Sequence, residues 1–403
     1  MHGNIAIITI TLVVLGYGYF SKYLTQLNIS GPMVFTTIGI LLSPVAFSVV
    51  ELHLDAEIVT ITAEIALIMV LFSDASSLNL KKLKAAWGIP FRLLFIGLPI
   101  TIVFATVVGQ AMFPNESMIY IVLMALLLAP TDAALGKAVV SDKRIPVKIR
   151  SSINVESGLN DGIVLPIILG VLAIITADKA GSNDTQWLMY IGQQVVFGAV
   201  IGALIGYVNA ISSVRTMKKD RMEASYKNLI PIAIAISSYY IAEYFGGNGF
   251  IAAFFSGLFL GNYNEGLRDN VENFVESESE LLILISFMIF GLAFVPATIE
   301  FWNFTVFIYS VLSLTVLRMI PVAISLIGTK LDFATMMFMG WFGPRGIASI
   351  LYILIVINDV VSTKDHETVY AVVTLTILLS IFLHGISARP LVKLYSKNHK
   401  DLD

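Results

Sequence analysis

The chain has 403 residues, of which 57% are hydrophobic and 13% are charged, and its formal net charge is −3. Soluble domains carry about 25% charged residues, so this composition excludes a soluble globular protein and indicates an all-α, polytopic membrane protein. The apolar runs are long and continuous, which excludes a transmembrane β-barrel, and the absence of cysteine excludes disulfides and thiol chemistry.

Long apolar windows predict thirteen transmembrane helices. In chain order these spans cover residues 4–25, 31–50, 57–73, 87–110, 118–140, 151–175, 187–213, 228–245, 248–262, 281–296, 303–328, 333–357 and 367–392. No Lys or Arg precedes the first run and it carries no small-residue cleavage signature, so we expect a retained helix rather than a signal peptide.

The basic residues of the loops predict the orientation, because Lys and Arg collect on the cytoplasmic side. With the N-terminus outside, only Lys179 and Lys364 fall in loops on the outer face. The sequence therefore predicts a multi-pass protein of the cell (inner) membrane, with its N-terminus outside and its C-terminus in the cytoplasm. His53 and His366 fall in predicted outer loops, where we expect them to be solvated.

Two predicted spans are interrupted at matching places in the two halves of the chain. Span 5 contains Ala129-Pro130-Thr131-Asp132, and span 12 contains Gly343-Pro344-Arg345-Gly346. An odd number of spans allows spans 1–6 and 8–13 to form two inverted six-helix repeats, with span 7 crossing the membrane between them. Broken helices at corresponding positions of two repeats point to a transport site near the bilayer midplane.

Span 6 places two carboxylates, Glu156 and Asp161, inside an apolar stretch. If this helix enters the membrane near Ser151, Asp161 lies roughly 15 Å deep, at the bilayer centre. A charged side chain there costs at least ~2.5–3.5 kcal/mol, so it marks an ion or proton pathway.

We interpret Asp161 as the group that holds the transported ion. It is spaced four residues from Ser157 and shares a helical face with it. Oxygen atoms of Asp161, Ser157, Thr131 and Asp132 could bind a small dehydrated cation such as Na⁺ where span 5 unwinds. Protonation and cation binding compete at Asp161, which is sufficient for antiport, and the neighbouring Asn160 cannot titrate.

Two arginines, Arg318 in span 11 and Arg345 in span 12, also lie within the predicted membrane region and need partners. Glu156 is the natural counter-ion for one of them. Arg318 is slightly preferred, because Arg345 could instead pair with Asp132 or hold the broken helix.

The motifs at Thr131-Asp132, Glu156-Ser157-Gly158-Leu159-Asn160-Asp161 and Gly343-Pro344-Arg345-Gly346 resemble those of the cation/proton antiporter superfamily, in its NhaP/NHE-like branch of sodium/proton antiporters. The resemblance covers almost the whole chain and implies an NhaA-like fold with crossed broken helices. It also implies a homodimer in which a core moves the ion site across the membrane against a fixed scaffold. Residues 1–86 and 181–300 would form the scaffold, and residues 87–180 and 301–403 the transport core.

The same resemblance implies roles for individual residues. Asp161 would bind a monovalent cation and a proton alternately, supported by Asn160 and Thr131, and Asp132 would lie at the crossed breaks. Glu156 would make a buried pair with an arginine. The Asn-Asp pair is similar to that of the electroneutral branch. No cofactor is implied besides the transported H⁺ and Na⁺, Li⁺ or K⁺, and no nucleic acid partner is expected.

Two other classes of function remain open at this point. A cation channel also needs buried carboxylates and broken helices, although inverted repeats suit alternating access better. An intramembrane hydrolase could use Ser157, His384 and Asp161 as a triad, but no nucleophile motif surrounds Ser157. We therefore expect a transporter rather than an enzyme.

Overall fold

The computed structural model describes residues 2–52, 54, 57–80, 88–180, 184–359 and 366–398. Every regular element within these ranges is helical. The main helices are α1 (His2–Gln26), α2 (Gly31–Leu42), α3 (Glu57–Ser77), α4 (Gly88–Met112), α5 (Met118–Leu127), α6 (Ala133–Val140), α7 (Val147–Ala180), α8 (Asp184–Lys218), α9 (Ala224–Tyr244), α10 (Gly249–Tyr263), α11 (Glu265–Ile289), α12 (Phe304–Leu314), α13 (Val316–Ser325), α14 (Phe333–Trp341), α15 (Ile347–Asp359) and α16 (Glu367–Asn398).

Seven helical stretches among the described residues are long and apolar enough to cross a membrane. They are Val59–Ser77, Gly88–Met112, Val147–Thr176, Gly192–Lys218, Ser279–Phe301, Phe304–Ser325 and Glu367–Lys397. Shorter apolar helices cover Gly31–Leu42, Met118–Leu127, Gly249–Tyr263 and Ile347–Ile357. The chain is therefore a multi-pass helical membrane protein.

The second predicted span is too long. Helix α2 ends at Leu42, whereas the apolar window continues to residue 50. Proline disfavours helical backbone in the residue before it, and Ser43, which precedes Pro44, is extended with φ −73° and ψ 168°. Hydropathy alone does not predict this helix end, because its cause is steric.

The chain forms two compact units. The first comprises Met1–Thr60, Gly88–Ser157 and Ile283–Asp403, and the second comprises Ile61–Trp87 and Gly158–Leu282. Helices α3, α7 and α11 each contribute one part to each unit.

Two single π-helical turns widen helices of the first unit. One covers Leu93–Gly97 within α4, and the other covers Phe290–Phe294 directly after α11. In each case a proline, Pro99 or Pro296, follows the turn by two residues. Proline has no N–H to donate to the carbonyl four residues earlier, and in a regular α-helix its ring collides with that carbonyl. The wider π turn relieves this collision.

Glycines bring helix backbones together in both units. In the first, a Cβ at Gly39 or Gly291 would collide with backbone of the facing segment, so α2 lies directly against the second π turn. In the second, a Cβ at Gly202 or Gly206 of α8 would collide with the backbone of Ala252 or Ser256 of α10. This close approach is the usual means of packing helices in a membrane, where no hydrophobic effect drives their association.

The predicted interruptions of spans 5 and 12 are present in the first unit. The chain is non-helical between Leu127 and Ala133, and again between Trp341 and Ile347. A third interruption was not predicted: Thr315, with φ −114° and ψ −95°, separates α12 from α13. It places Arg318 in the first turn of α13.

Candidate functional site

The two predicted interruptions, which follow α5 and α14, meet each other. The backbone N–H of Asp132, in the break between α5 and α6, donates to the carbonyl of Pro344 over 2.8 Å. Pro344 lies in the break between α14 and α15. Four helix ends are thus brought to one buried place, and each end leaves backbone groups without intrahelical partners.

The carboxylate of Asp132 caps two helix N-termini at once. One oxygen accepts from the N–H of Leu135 in α6 (3.3 Å), and the other accepts from the N–H of Ile347 at the start of α15 (2.7 Å). A negative charge is stabilising at the positive end of a helix dipole. Gly346 lies so close to this carboxylate that any side chain there would collide with it.

Arg345 places the opposite charge at the C-terminal side of α5. Its guanidinium, which is 1% exposed, donates from Nη1 to the carbonyls of Ala129 (2.8 Å) and Pro130 (3.1 Å). Ser349 Oγ donates to the carbonyl of Leu127 over 2.7 Å. A hydroxyl therefore satisfies the last carbonyl of α5, and a cation satisfies two carbonyls of the break that follows it.

The C-terminus of α14 is capped by a histidine, a role that the sequence did not predict. Nε2 of His384, on α16, lies 3.0 Å from the carbonyl of Trp341, and Nδ1 lies 3.1 Å from Ser380 Oγ. Ser380 Oγ also accepts the backbone N–H of Arg345 over 2.7 Å. Nδ1 also lies 3.1 Å from the carbonyl oxygen of Ser380, one turn earlier on α16, so both ring nitrogens have hydrogen-bond partners.

Ser157 joins α7 to the first break, because its Oγ donates to the carbonyl of Thr131 over 2.5 Å. Thr131 and Ser157 are both buried. The triad weighed for a hydrolase is not assembled: Ser157 bonds to Thr131, whereas His384 bonds to Ser380 and Trp341.

Asn160 and Asp161 follow on α7 and belong to the second unit. Both are buried, at 1% and 3% exposure. Asp161 lies four residues after Ser157 in one uninterrupted helix, so the two residues share a helical face. On the next residue, Gly162, the ring of Phe254 from α10 leaves no space for a side chain.

Glu156 forms a buried salt bridge with Arg318, the arginine that the sequence analysis slightly preferred. Arg318 Nη2 lies 2.7 Å from Glu156 Oε1, and both side chains are less than 5% exposed. The guanidinium of Arg318 also lies against Gly343, where a Cβ would collide with it. This ion pair therefore connects α7, α13 and the second break.

The expectation that His366 is solvated is wrong, whereas His53 lies outside the described residues. The ring of His366 stacks on Tyr120, with a centroid distance of 3.4 Å and an interplanar angle of 20°. Its Nδ1 lies 3.5 Å from Glu116 Oε2. A loop position in the sequence does not reveal that an aromatic ring from another helix covers it.

A multi-pass helical protein in which two broken helices cross, with their ends neutralised by buried charges, belongs to the class of secondary transporters. Residues 8–394 match the family model for the sodium/hydrogen exchanger, transmembrane. The chain belongs to this family, which confirms the resemblance to cation/proton antiporters.

Among curated relatives, the chain is 25% identical over 317 residues to a Na⁺/H⁺ antiporter of Schizosaccharomyces pombe, covering 70% of this chain and 66% of the relative. It is 24% identical over 395 residues to the K⁺/H⁺ antiporter NhaP of Alkalimonas amylolytica, covering 96% and 67%. The chain thus spans about two thirds of the length of both relatives.

The fold is also similar to the solved structure of the sodium proton antiporter MjNhaP1 from Methanocaldococcus jannaschii at pH 8. The TM-score is 0.79 at 19% sequence identity, and the match covers 98% of this chain and 99% of that one. At this level of identity the likeness establishes the fold.

Proposed function

We propose that this chain exchanges a monovalent cation, Na⁺, Li⁺ or K⁺, for H⁺ across the membrane by alternating access. The observation that carries the proposal is the crossing of the two breaks, where Asp132 caps two helix N-termini and Arg345 binds carbonyls at the end of α5. Family membership supports the same activity, and the relatives include antiporters named for Na⁺ and for K⁺.

Asp161 is the proposed binding group for cation and proton. A buried carboxylate is neutral when it holds either a proton or one monovalent cation, so occupation by one excludes the other. In our proposal, Ser157 and the Thr131 segment supply further oxygens, Asn160 supports the site without titrating, and Asp132 fixes the breaks. This arrangement predicts electroneutral exchange of one cation for one proton.

The finer architecture also belongs to the proposal. We infer thirteen spans in two inverted repeats, an N-terminus outside and a location in the cell membrane. Support comes from the matching interruptions in spans 5 and 12 and from the asymmetric distribution of basic loop residues.

We further infer a homodimer in which residues 1–86 and 181–300 form a fixed scaffold. Residues 87–180 and 301–403 would carry the ion site across the membrane. This division groups helices by motion, whereas the compact units described above group them by contact, and the two divisions have different boundaries.

A channel is the alternative within transport proteins. A channel passes current whenever it is open, whereas a carrier couples the movement of one ion to that of the other. The family to which the chain belongs favours the carrier.

The proposal is tested with the purified protein in liposomes that contain a fluorescent pH indicator. Gradients of sodium, lithium and potassium are imposed in turn, and the initial rate of proton movement is measured. Wild type should respond to at least one cation, and Asp161→Asn should reduce that response to the leak of empty liposomes. Asp220→Asn, which alters an exposed carboxylate in a loop, serves as the control and should transport like wild type. Substantial exchange by a folded Asp161→Asn protein would refute the role of Asp161.

A further inference from the structure

Three polar side chains lie along one face of α16. Ser380, His384 and Ser387 are spaced by four and then three residues, so they occupy the same face on successive helical turns. Each of them contacts Trp341 or Arg345, which lie at the two ends of the break between α14 and α15. We refer to Ser380, His384 and Ser387 as the α16 clamp.

The α16 clamp holds this break at both of its ends. At the end of α14, Ser387 Oγ accepts the indole N–H of Trp341 over 3.0 Å, and His384 Nε2 lies 3.0 Å from the carbonyl oxygen of Trp341. Further along, Ser380 Oγ accepts the backbone N–H of Arg345 over 2.7 Å, and His384 Nδ1 lies 3.1 Å from the same Oγ. Because the break lacks a continuous helical ladder of hydrogen bonds, these contacts fix its backbone on α16.

The break held by the clamp in turn holds the two neighbours of Thr131. The guanidinium of Arg345 donates to the carbonyl of Pro130 over 3.1 Å, and the carbonyl of Pro344 accepts the N–H of Asp132 over 2.8 Å. A displacement of Pro344 and Arg345 is therefore transmitted to Thr131 from both sides. Groups that orient the ligands of a bound cation change the affinity for that cation without touching it.

We infer that the α16 clamp sets the affinity of the ion site for its cation, because it fixes the place of the Thr131 segment, which supplies oxygens in the proposed exchange. The inference rests on that proposed function. Ser380, His384 and Ser387 do not touch the cation, so they are positioning residues. A contact that serves folding alone would change the stability of the protein and leave the cation affinity unchanged, so the two roles differ in a measurable quantity.

The half-saturating cation concentration separates positioning from stability. Proton movement in proteoliposomes is measured at increasing concentrations of whichever of sodium, lithium and potassium wild type transports fastest. A variant that only loses stability leaves fewer active molecules and lowers the maximal rate. We expect Ser380→Ala and His384→Met instead to raise the half-saturating concentration by about two- to tenfold, which corresponds to the net contribution of one hydrogen bond.

Two further variants serve as rescue and control. His384→Gln has the length of His384→Met but keeps a hydrogen-bonding end, so its half-saturating concentration should lie closer to that of wild type. Thr376→Val removes another fully buried hydroxyl of α16, whose Oγ1 donates to the carbonyl of Val372 in the same helix over 2.7 Å. It should keep the half-saturating concentration of wild type.

An unchanged half-saturating concentration in Ser380→Ala and His384→Met, with only the maximal rate lowered, overturns the inference. An equal rise in Thr376→Val, or equal rises in His384→Gln and His384→Met, overturns it as well. If His384→Met does not melt cooperatively in detergent, Ser380→Ala decides, because it removes a single oxygen atom. A wild type that moves no protons with any of the three cations refutes the proposed function itself, so the two failures are distinguishable.

Discussion

At the scale of single residues, the buried charges of the first unit each neutralise a specific partner. Asp132 caps two helix N-termini, Arg345 donates hydrogen bonds to the carbonyls after α5, and Glu156 forms an ion pair with Arg318. Such charges are costly in an apolar surrounding unless their partners are present. The sequence allowed Glu156 and Arg318 to be considered together because both are isolated charges in apolar spans.

The Glu156–Arg318 pair gives a direct stability test. Removing one member of a buried pair leaves the other uncompensated and costs about 3–5 kcal/mol. Glu156→Gln and Arg318→Met should each lower the melting temperature in detergent, followed by tryptophan fluorescence. The double variant should be less destabilised than the sum of the two single variants, because neither charge then remains unpaired. Additive effects for this pair, with strong coupling of Glu156→Gln to Arg345→Met instead, would contradict the partner assignment.

His384 shows why part of the candidate site was not predictable. Histidine carries no fixed charge, so its presence in an apolar span did not require a charged partner, and its neighbours are Ser380 on its own helix and a backbone carbonyl of α14. A hydrogen bond from a side chain to a backbone group far away in the sequence produces no recognisable spacing of residues. The one available signal was that Ser380 and His384 are four residues apart, on one helical face.

At the scale of elements, Gly and Pro residues predicted the two breaks, because both residue types destabilise the interior of a helix. The third break at Thr315 and the two π turns were not foreseen. Proline in a membrane helix is accommodated by a kink, a wider turn or a neighbour's hydrogen bond, and the choice depends on tertiary packing. The end of α2 was predicted too far along the chain, because hydropathy measures apolar length rather than helix termination.

The crossing of the breaks depends on Gly346, which leads to a prediction about helix ends. A methyl group there collides with the Asp132 carboxylate, so Gly346→Ala must displace a cap shared by two helices. We expect it to lower the melting temperature, at a cost of about 1–3 kcal/mol typical of overpacking, and to reduce transport.

Gly170→Ala is the matched control, since no atom lies within 4 Å of the Cβ position in this helical residue. It should be neutral or stabilising by up to about 1 kcal/mol through helix propensity. Equal melting temperatures for Gly346→Ala and Gly170→Ala would show that the close approach at the crossing is not required.

At the scale of the whole molecule, composition was sufficient to predict a helical multi-pass membrane protein, because only such proteins can tolerate so few charged residues over such long runs. The grouping of helices into compact units could not be predicted from composition. It arises from contacts between helices distant in sequence, such as Gly202 of α8 against Ala252 of α10.

The orientation can be tested because the chain contains no cysteine. Single cysteines at Asn115 and Ser141, both exposed, report on the two sides of the membrane. With the N-terminus outside, Asn115→Cys should react with an impermeant maleimide added to intact cells, and Ser141→Cys should react only after the cells are opened. The reverse labelling pattern would overturn the proposed orientation.

In the proposed mechanism, one carboxylate, Asp161, couples one cation to one proton. The most direct measurement is the initial rate of sodium-driven proton movement in proteoliposomes, held either at zero potential or at about −100 mV by a potassium gradient and valinomycin. If sodium is not transported, lithium is used. An elementary charge that moves through 100 mV involves about 2.3 kcal/mol, so any net charge transfer should change the rate several-fold. We expect proton movement at zero potential, an unchanged rate at negative potential and no movement in Asp161→Asn. A rate that rises several-fold with potential, or a sodium current without coupled proton movement, would contradict this mechanism.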